Sequence, residues 1–184
     1  MTKFDKAVIL GGIVALVCLS IWGEFLVAIY DRSVARPLDT SNPIEVSIGR
    51  TVEEYARRNN IPTPAVRISG TDPLSLRPWF TNGVIVFPST LLTAESIDIA
   101  AILGHESGHI TNQDKLFGGV DLHGRESRLR SESAADKVAI ALAGCDAQRH
   151  LLTHYRKKFE EAAANIKDPH PSYADRLALT KDCS

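Results

Sequence analysis

The spacing of apolar positions changes along the chain, and each change marks an element. Ala7 to Gly23 carries no charged residue, and Phe25 to Tyr30 prolongs the apolar run past Glu24. Asp31 to Asn42, with Pro37, Asp39, Thr40 and Ser41, breaks that run and reads as a linker. Asn42-Pro43 then opens a helix to about Arg58, with proline at a tolerated first-turn position and Val46, Ile48, Val52, Tyr55 and Ala56 as its apolar positions. Pro62 and Pro64 precede a short strand at Ala65 to Ser69, Thr71 to Arg77 is a loop, and Gly83 to Phe87 is the clearest strand. Ser96 to Asn112 has the pattern of one buried helix. Gln113 to Glu126, with Gly118, Gly119 and Gly124, reads as a mobile connection. An alanine-rich helical pattern follows at Ala134 to Leu142, and two more helices are expected at about Asp146 to Ile166 and Pro171 to Thr180. The fold class is α+β, mostly helical with a small sheet.

The chemistry concentrates in the Ser96 to Asn112 helix. His105-Glu106-Ser107-Gly108-His109 is an HExxH motif. Histidines four apart on a helix share a face, one turn apart, where both imidazoles reach one metal ion. Glu106, beside the first histidine, is placed to take a proton from a water at that ion. A catalytic zinc takes three protein ligands and keeps a position for water, so a third ligand is required. A histidine six positions past His109 would supply it, but that residue is Lys115.

Glu132-Ser133-Ala134-Ala135-Asp136 is the better source. Glu132 and Asp136 also share a helix face. Glu132 can ligate zinc, and Asp136 can accept from the far nitrogen of a ligating histidine and fix its tautomer. The intervening alanines let this helix pack close to the first. His170-Pro171, with Arg176 six residues on, is the third element. A histidine at the mouth of such a site can donate to the oxygen on which charge develops, and the arginine can orient it or share that role. Without this context Glu132 reads as a solvated carboxylate favoured by a helix N-terminus, and His170 as a residue before a helix-starting proline.

HExxH, E-x-x-A-D and H-P-x-x-x-x-R, in that order, resemble the membrane-linked gluzincin metallopeptidases. That group includes the CAAX prenyl proteases, the bacterial HtpX-type quality-control proteases and small relatives of minimal catalytic domain. The resemblance covers roughly residues 44 to 179. It implies a zincin-like domain with zinc held by His105, His109 and Glu132. Glu106 would be the general base, Asp136 the carboxylate behind a ligand, and His170 and Arg176 the residues stabilising the intermediate. The family's Asn-Ala-Phe segment is missing. Its nearest counterpart is Pro78-Trp79-Phe80, followed by Thr81-Asn82-Gly83, with Asn82 the candidate for the missing amide. By analogy with thermolysin-like sites, the strand before the HExxH helix would hold substrate. Asn82, Gly83, Val84 and Ile85 are therefore the expected peptide-binding residues, with an extended peptide pairing along the strand edge.

His150 and His154 are also four apart, but no acid lies between them, and Arg149, Arg156, Lys157 and Lys158 flank them. They read as a solvated helix face on which positive charge repels a metal ion. His123 sits in the glycine-rich connection without a partner pattern.

Composition narrows the class. The chain has 184 residues, 44% of them hydrophobic, and a formal net charge of −1, which fits one compact domain plus an appendage and gives no reason to expect nucleic acid. The division expected is residues 1–30 as a membrane anchor, 31–42 as a linker and 43–184 as the metallopeptidase domain. An apolar helix of the length of Ala7 to Tyr30 can cross a bilayer core of roughly 30 Å, with Glu24 toward one end. The alternative is a signal peptide, with Lys3 and Lys6 as its basic start and Ser33-Val34-Ala35 as its cleavage site, although the apolar run is long for one. Lys3 and Lys6 before the span nearly balance Arg32 and Arg36 after it. The N-terminal amine tips the count toward an inside N-terminus and a single-pass protein with its catalytic domain outside the cytoplasm. Cys18 lies in the span, and Cys145 and Cys183 can pair in an oxidising compartment.

The expected function is that of a zinc-dependent endopeptidase acting on protein or peptide substrates, with membrane or misfolded envelope proteins as one class. The competing reading is a catalytically idle zinc-binding protein that docks peptides or acts as a chaperone, against which an intact Glu106 argues. A third is zinc-assisted hydrolysis of a non-peptide amide.

Overall fold

The computed structural model describes residues 35–70, 79–81, 83–114, 125–164, 170–181 and 183. The expected anchor and its flank, the Thr71 to Arg77 loop, Asn82 and the glycine-rich stretch 115–124 lie outside the described residues. Among the described residues, no helix is long and apolar enough to cross a membrane.

Strand β1 (Arg36–Pro37) leads into helix α1 (Pro43–Asn59), then strands β2 (Ala65–Ser69), β3 (Trp79–Thr81) and β4 (Val84–Pro88). A 3-10 turn (Ser89–Thr93) connects to helices α2 (Ser96–Thr111), α3 (Arg125–Ala143), α4 (Cys145–His154), α5 (Arg156–Ala163) and α6 (Tyr173–Ala178). The architecture is α+β and mostly helical, with a small sheet in the order β1-β2-β4-β3. β2 and β4 are parallel, with Ala65 opposite Val84 and Ser69 opposite Pro88. β3 runs antiparallel to β4, with Thr81 opposite Val84. That pairing leaves two residues for the reversal, and Gly83 takes φ of +74° there, a conformation that favours glycine.

From Ala35 onward, the segment read as a linker is part of the fold. Ala35 is buried beside Val84 and Val86. Arg36 and Pro37 pair with Ile68 and Arg67, and Pro37 is tolerated because β1 is an edge strand. Arg36 donates from Nη1 and Nη2 to the two carboxylate oxygens of the buried Glu45, at 2.7 and 2.6 Å. Asn42 caps α1, its side chain accepting from the amides of Ile44 and Glu45.

Alternation along β4 gives the sheet two buried faces. Ile85 and Phe87 join Ile68 of β2 in the main core with Ile48, Val52 and Tyr55 of α1, Ile99 and Leu103 of α2, and Leu142 of α3. Val84 and Val86 face the other way, toward Ala35. Arg58 at the end of α1 donates to the carbonyls of Ala141 and Leu142 and so closes the C-terminal turn of α3. The long helix expected after Asp146 is broken at Tyr155 into α4 and α5. Cys145 and Cys183 form a disulfide that ties the end of the chain to the start of α4.

Candidate active site

The site is built where α2 and α3 meet. Glu132, Ala135, Asp136 and Ala139 recur at the spacing of one helix face, and all four are buried. Small residues on both helices make the approach close. A Cβ on Gly108 would lie 2.7 Å from the Ala135 carbonyl oxygen, and one on Gly104 would lie 3.0 Å from the Ala139 Cα. The glycine inside HExxH is thus a packing requirement, and it sets how near Glu132 comes to the histidines.

His105 and His109 lie one turn apart with their Nε2 atoms 3.1 Å from each other. Glu132 brings Oε2 to 3.2 Å from His105 Nε2 and Oε1 to 3.8 Å from His109 Nε2. One ligand atom from each of the three residues falls within 4.8 Å of the others. His170 Nε2 stands 3.4 Å from Glu132 Oε2, so the residue before Pro171 does come to this cluster.

The far nitrogens decide what the cluster accepts. His105 Nδ1 is 2.9 Å from Asp136 Oδ1, and His109 Nδ1 is 2.9 Å from Asp114 Oδ2. An ionised carboxylate only accepts, so each Nδ1 carries its ring's proton and each Nε2 presents a lone pair. Two lone pairs and the carboxylate of Glu132 then converge on one point. Glu132 Oε2 makes no well-formed hydrogen bond there, despite being buried and near two rings. Lone pairs facing one another are repulsive unless a cation lies between them, so the donor set fits a zinc ion.

The electrostatics agree. Burial alone would lower the His105 pKa, but the hydrogen bonds and charges of Asp136 and Glu132 outweigh it and push it up to about 10. A proton on this ring and a metal ion at this place answer the same excess of negative charge. Burial works against ionised Glu132, yet His105, His170 and His109 hold its carboxyl well below the usual range. Burial raises the Glu106 carboxyl and Glu132 adds to that rise, against the pull of His105 and His109.

Behind the ligands, Asp136 is a junction. It faces His105 as expected, and it also accepts from Gln148 Nε2 at 3.2 Å and from Arg176 Nε and Nη2 at 2.7 and 2.6 Å. The expectation that Arg176 shares the contact to the developing charge is therefore corrected: its guanidinium is buried and turned onto Asp136. It bears on the site through Asp136 and His105. Asp114 and Gln148 were not anticipated. Asp114 follows His109 by five residues, just past the helix end, where no helical periodicity singles it out.

The strand expected to hold substrate is also corrected. β4 has a hydrogen-bonded neighbour on each side, and Val84 and Ile85 are buried, so neither offers an edge to a peptide. Among the described residues the free edge of the sheet on that side belongs to β3, the strand that contacts α2.

Residues 45–123 match the family model described as Peptidase family M48. The match runs from the first turn of α1 past HExxH and stops before Glu132. No curated protein matches the chain. With the HExxH helix inside the matched segment and a carboxylate from α3 completing its candidate ligand set, the chain is similar to peptidase family M48 over residues 45–123.

Proposed function

We propose that the protein is a zinc-dependent endopeptidase held at a membrane by its N-terminal segment. The observation that carries this reading is the convergence of His105, His109 and Glu132, with both far ring nitrogens committed to carboxylates. Bound there, zinc would polarise the scissile carbonyl and make water a nucleophile at neutral pH.

The chain's own residues supply the rest. Glu106 is one residue from the first ligand and buried, and burial raises its pKa, which strengthens it as a proton acceptor. It takes the proton of the attacking water and returns it to the leaving amine. His170, beside Glu132, is placed to donate to the substrate oxygen as negative charge develops. Arg176, Gln148 and Asp136 hold His105 in its ligating orientation, and Asp114 does the same for His109. The free backbone of β3 is the expected place for an extended peptide.

The test is digestion of a peptide library by the purified protein, with Glu106→Gln as control. Cleavage within peptides by the wild type, and none by a variant that still holds zinc, is the expected result. A wild-type protein that binds zinc and peptides but cuts nothing would favour the idle docking reading.

For the membrane, the support is the uncharged run Ala7 to Gly23 and the Cys145–Cys183 disulfide, which suits an oxidising compartment and so an extracytoplasmic domain. The division would then be an anchor at residues 1–30 and a domain that begins near Ala35.

A further inference from the structure

A second histidine pair faces the opposite end of α2. His150 and His154 stand one turn apart on α4 and turn their Nδ1 atoms onto one carboxylate. His150 Nδ1 is 2.9 Å from Asp98 Oδ1, and His154 Nδ1 is 2.7 Å from Asp98 Oδ2. Asp98 lies in the first turn of α2 and is fully buried. Among the described residues no lysine or arginine pairs with it. The two rings remain open to solvent, with side-chain exposures of 39% and 47%. The cluster is thus a buried carboxylate reached past two accessible imidazoles. Glu95, at the N-cap of α2, holds its carboxylate 3.8 Å from His150 Nε2.

The flanking cations have partners of their own, which lessens the repulsion expected from them. Arg149 donates to Thr180 and Asp146, Arg156 to Glu160, and Lys157 pairs with Glu161. Lys158 sits over the Tyr155 ring. Tyr155 in turn stacks on His154, with centroids 4.6 Å apart, and fixes the orientation of that ring.

The cluster repeats the chemistry of the catalytic one with the helices exchanged. There α2 supplies two imidazoles and α3 the carboxylate; here α4 supplies the imidazoles and α2 the carboxylate. One ligand atom from each of Asp98, His150 and His154 lies within 4.8 Å of the others. Two imidazoles and a carboxylate with an open side suit a borderline divalent ion. Such an ion would displace the two ring protons that now face Asp98 and neutralise its buried charge more fully than hydrogen bonds do.

We propose that Asp98, His150 and His154 form a second, zinc-class metal site that clamps α4 to the start of the HExxH helix. The clamp bears on the first site through α4, because Gln148 on that helix braces Asp136.

The experiment is zinc titration of the full-length protein after chelator treatment, with bound metal counted by elemental analysis after desalting. Two equivalents are expected in the wild type. His150→Ala/His154→Ala should hold one and still cleave peptide, and Glu132→Ala should also hold one. A single equivalent that disappears in Glu132→Ala overturns the second site and leaves the peptidase reading standing. A single equivalent that survives Glu132→Ala but disappears in the double histidine variant does the reverse. The wild-type count stands even if a variant fails to fold, since one equivalent there excludes two sites. If the wild type holds two, cobalt loading supplies a readout without substitution, because two d–d absorption increments should appear in sequence.

Discussion

Arg176 and Asp136, forty residues apart, meet through two parallel charged hydrogen bonds of 2.7 and 2.6 Å, both buried. A planar guanidinium makes this fork and a lysine cannot, so the pair fixes the carboxylate's orientation as well as its charge. Asp136 passes that orientation to His105. Arg176→Lys should therefore weaken zinc binding by roughly 10- to 100-fold, the usual scale for groups that hold a metal ligand in place. Zinc affinity measured with a competing chelator checks this. A variant with unchanged affinity but a reduced kcat would mean that Arg176 acts on substrate after all.

Gly108 sets the distance between α2 and α3. A methyl group there meets the Ala135 oxygen at 2.7 Å and its Cα at 2.8 Å, and backbone cannot move aside as a flexible side chain does. Gly108→Ala should destabilise the fold by about 1–3 kcal/mol, the range for forced overpacking. It should also weaken zinc binding, because it pushes Glu132 away from the histidines. Urea unfolding with Gly70→Ala as control checks it, since a Cβ at Gly70 meets nothing within 4 Å. Equal midpoints for the two variants would remove the packing argument.

His170 approaches Glu132 without the geometry of a strong bond, at 3.4 Å, and its side chain is 18% exposed. A group held in this way can turn to a substrate oxygen once charge develops. His170→Phe should reduce kcat by on the order of 10²-fold, with a smaller rise in KM, because the contact forms mainly in the transition state. Steady-state kinetics at constant zinc occupancy checks it. Full activity would make His170 a residue of the helix start only.

Local periodicity carried the parts of the site that could be read from sequence. His105 with His109, and Glu132 with Asp136, each repeat at one helical turn, and the alanines of α3 point to a close crossing. What was missed depends on distance in sequence or on brevity. Asp98 meets His150 and His154 across more than fifty residues, and no pattern in either segment announces the other. The direction of Arg176 was misjudged because a motif names the residue but not the side it faces. β1 and β3 are two and three residues long, too short for alternation to register. For β3 a signal did exist: Asn82-Gly83 before a β-branched run is a hairpin sequence. It gives β4 a neighbour and moves the free edge outward.

The start of the folded domain yields the last prediction. Deletion of residues 1 to 36 would follow from reading Asp31 to Asn42 as a linker, but it removes Ala35 from its cluster and Arg36 from Glu45. The Arg36 hydrogen bond, with lesser help from the Asp39 amide and from Coulombic attraction, overcomes burial and holds the Glu45 carboxyl below its ordinary value of 4.5. A lowered carboxyl contributes stability that is complete above that ordinary value and is lost as pH falls through the lower folded one. In a chain beginning at Val34 the contribution of the Arg36–Glu45 pair should therefore be constant from neutrality to about pH 5 and weaken only below it. A chain beginning at Pro37 leaves Glu45 buried without its cation and should lose about 1–3 kcal/mol at neutral pH, with Arg36 already half exposed. Its deficit should shrink on acidification, because protonating an unpaired buried carboxyl relieves it. Both chains should stay soluble and bind zinc, since all the ligands lie farther along. Urea unfolding of the two truncations at pH 7 and pH 4.5 decides it: equal stability at both values would return Asp31 to Asn42 to the status of a linker.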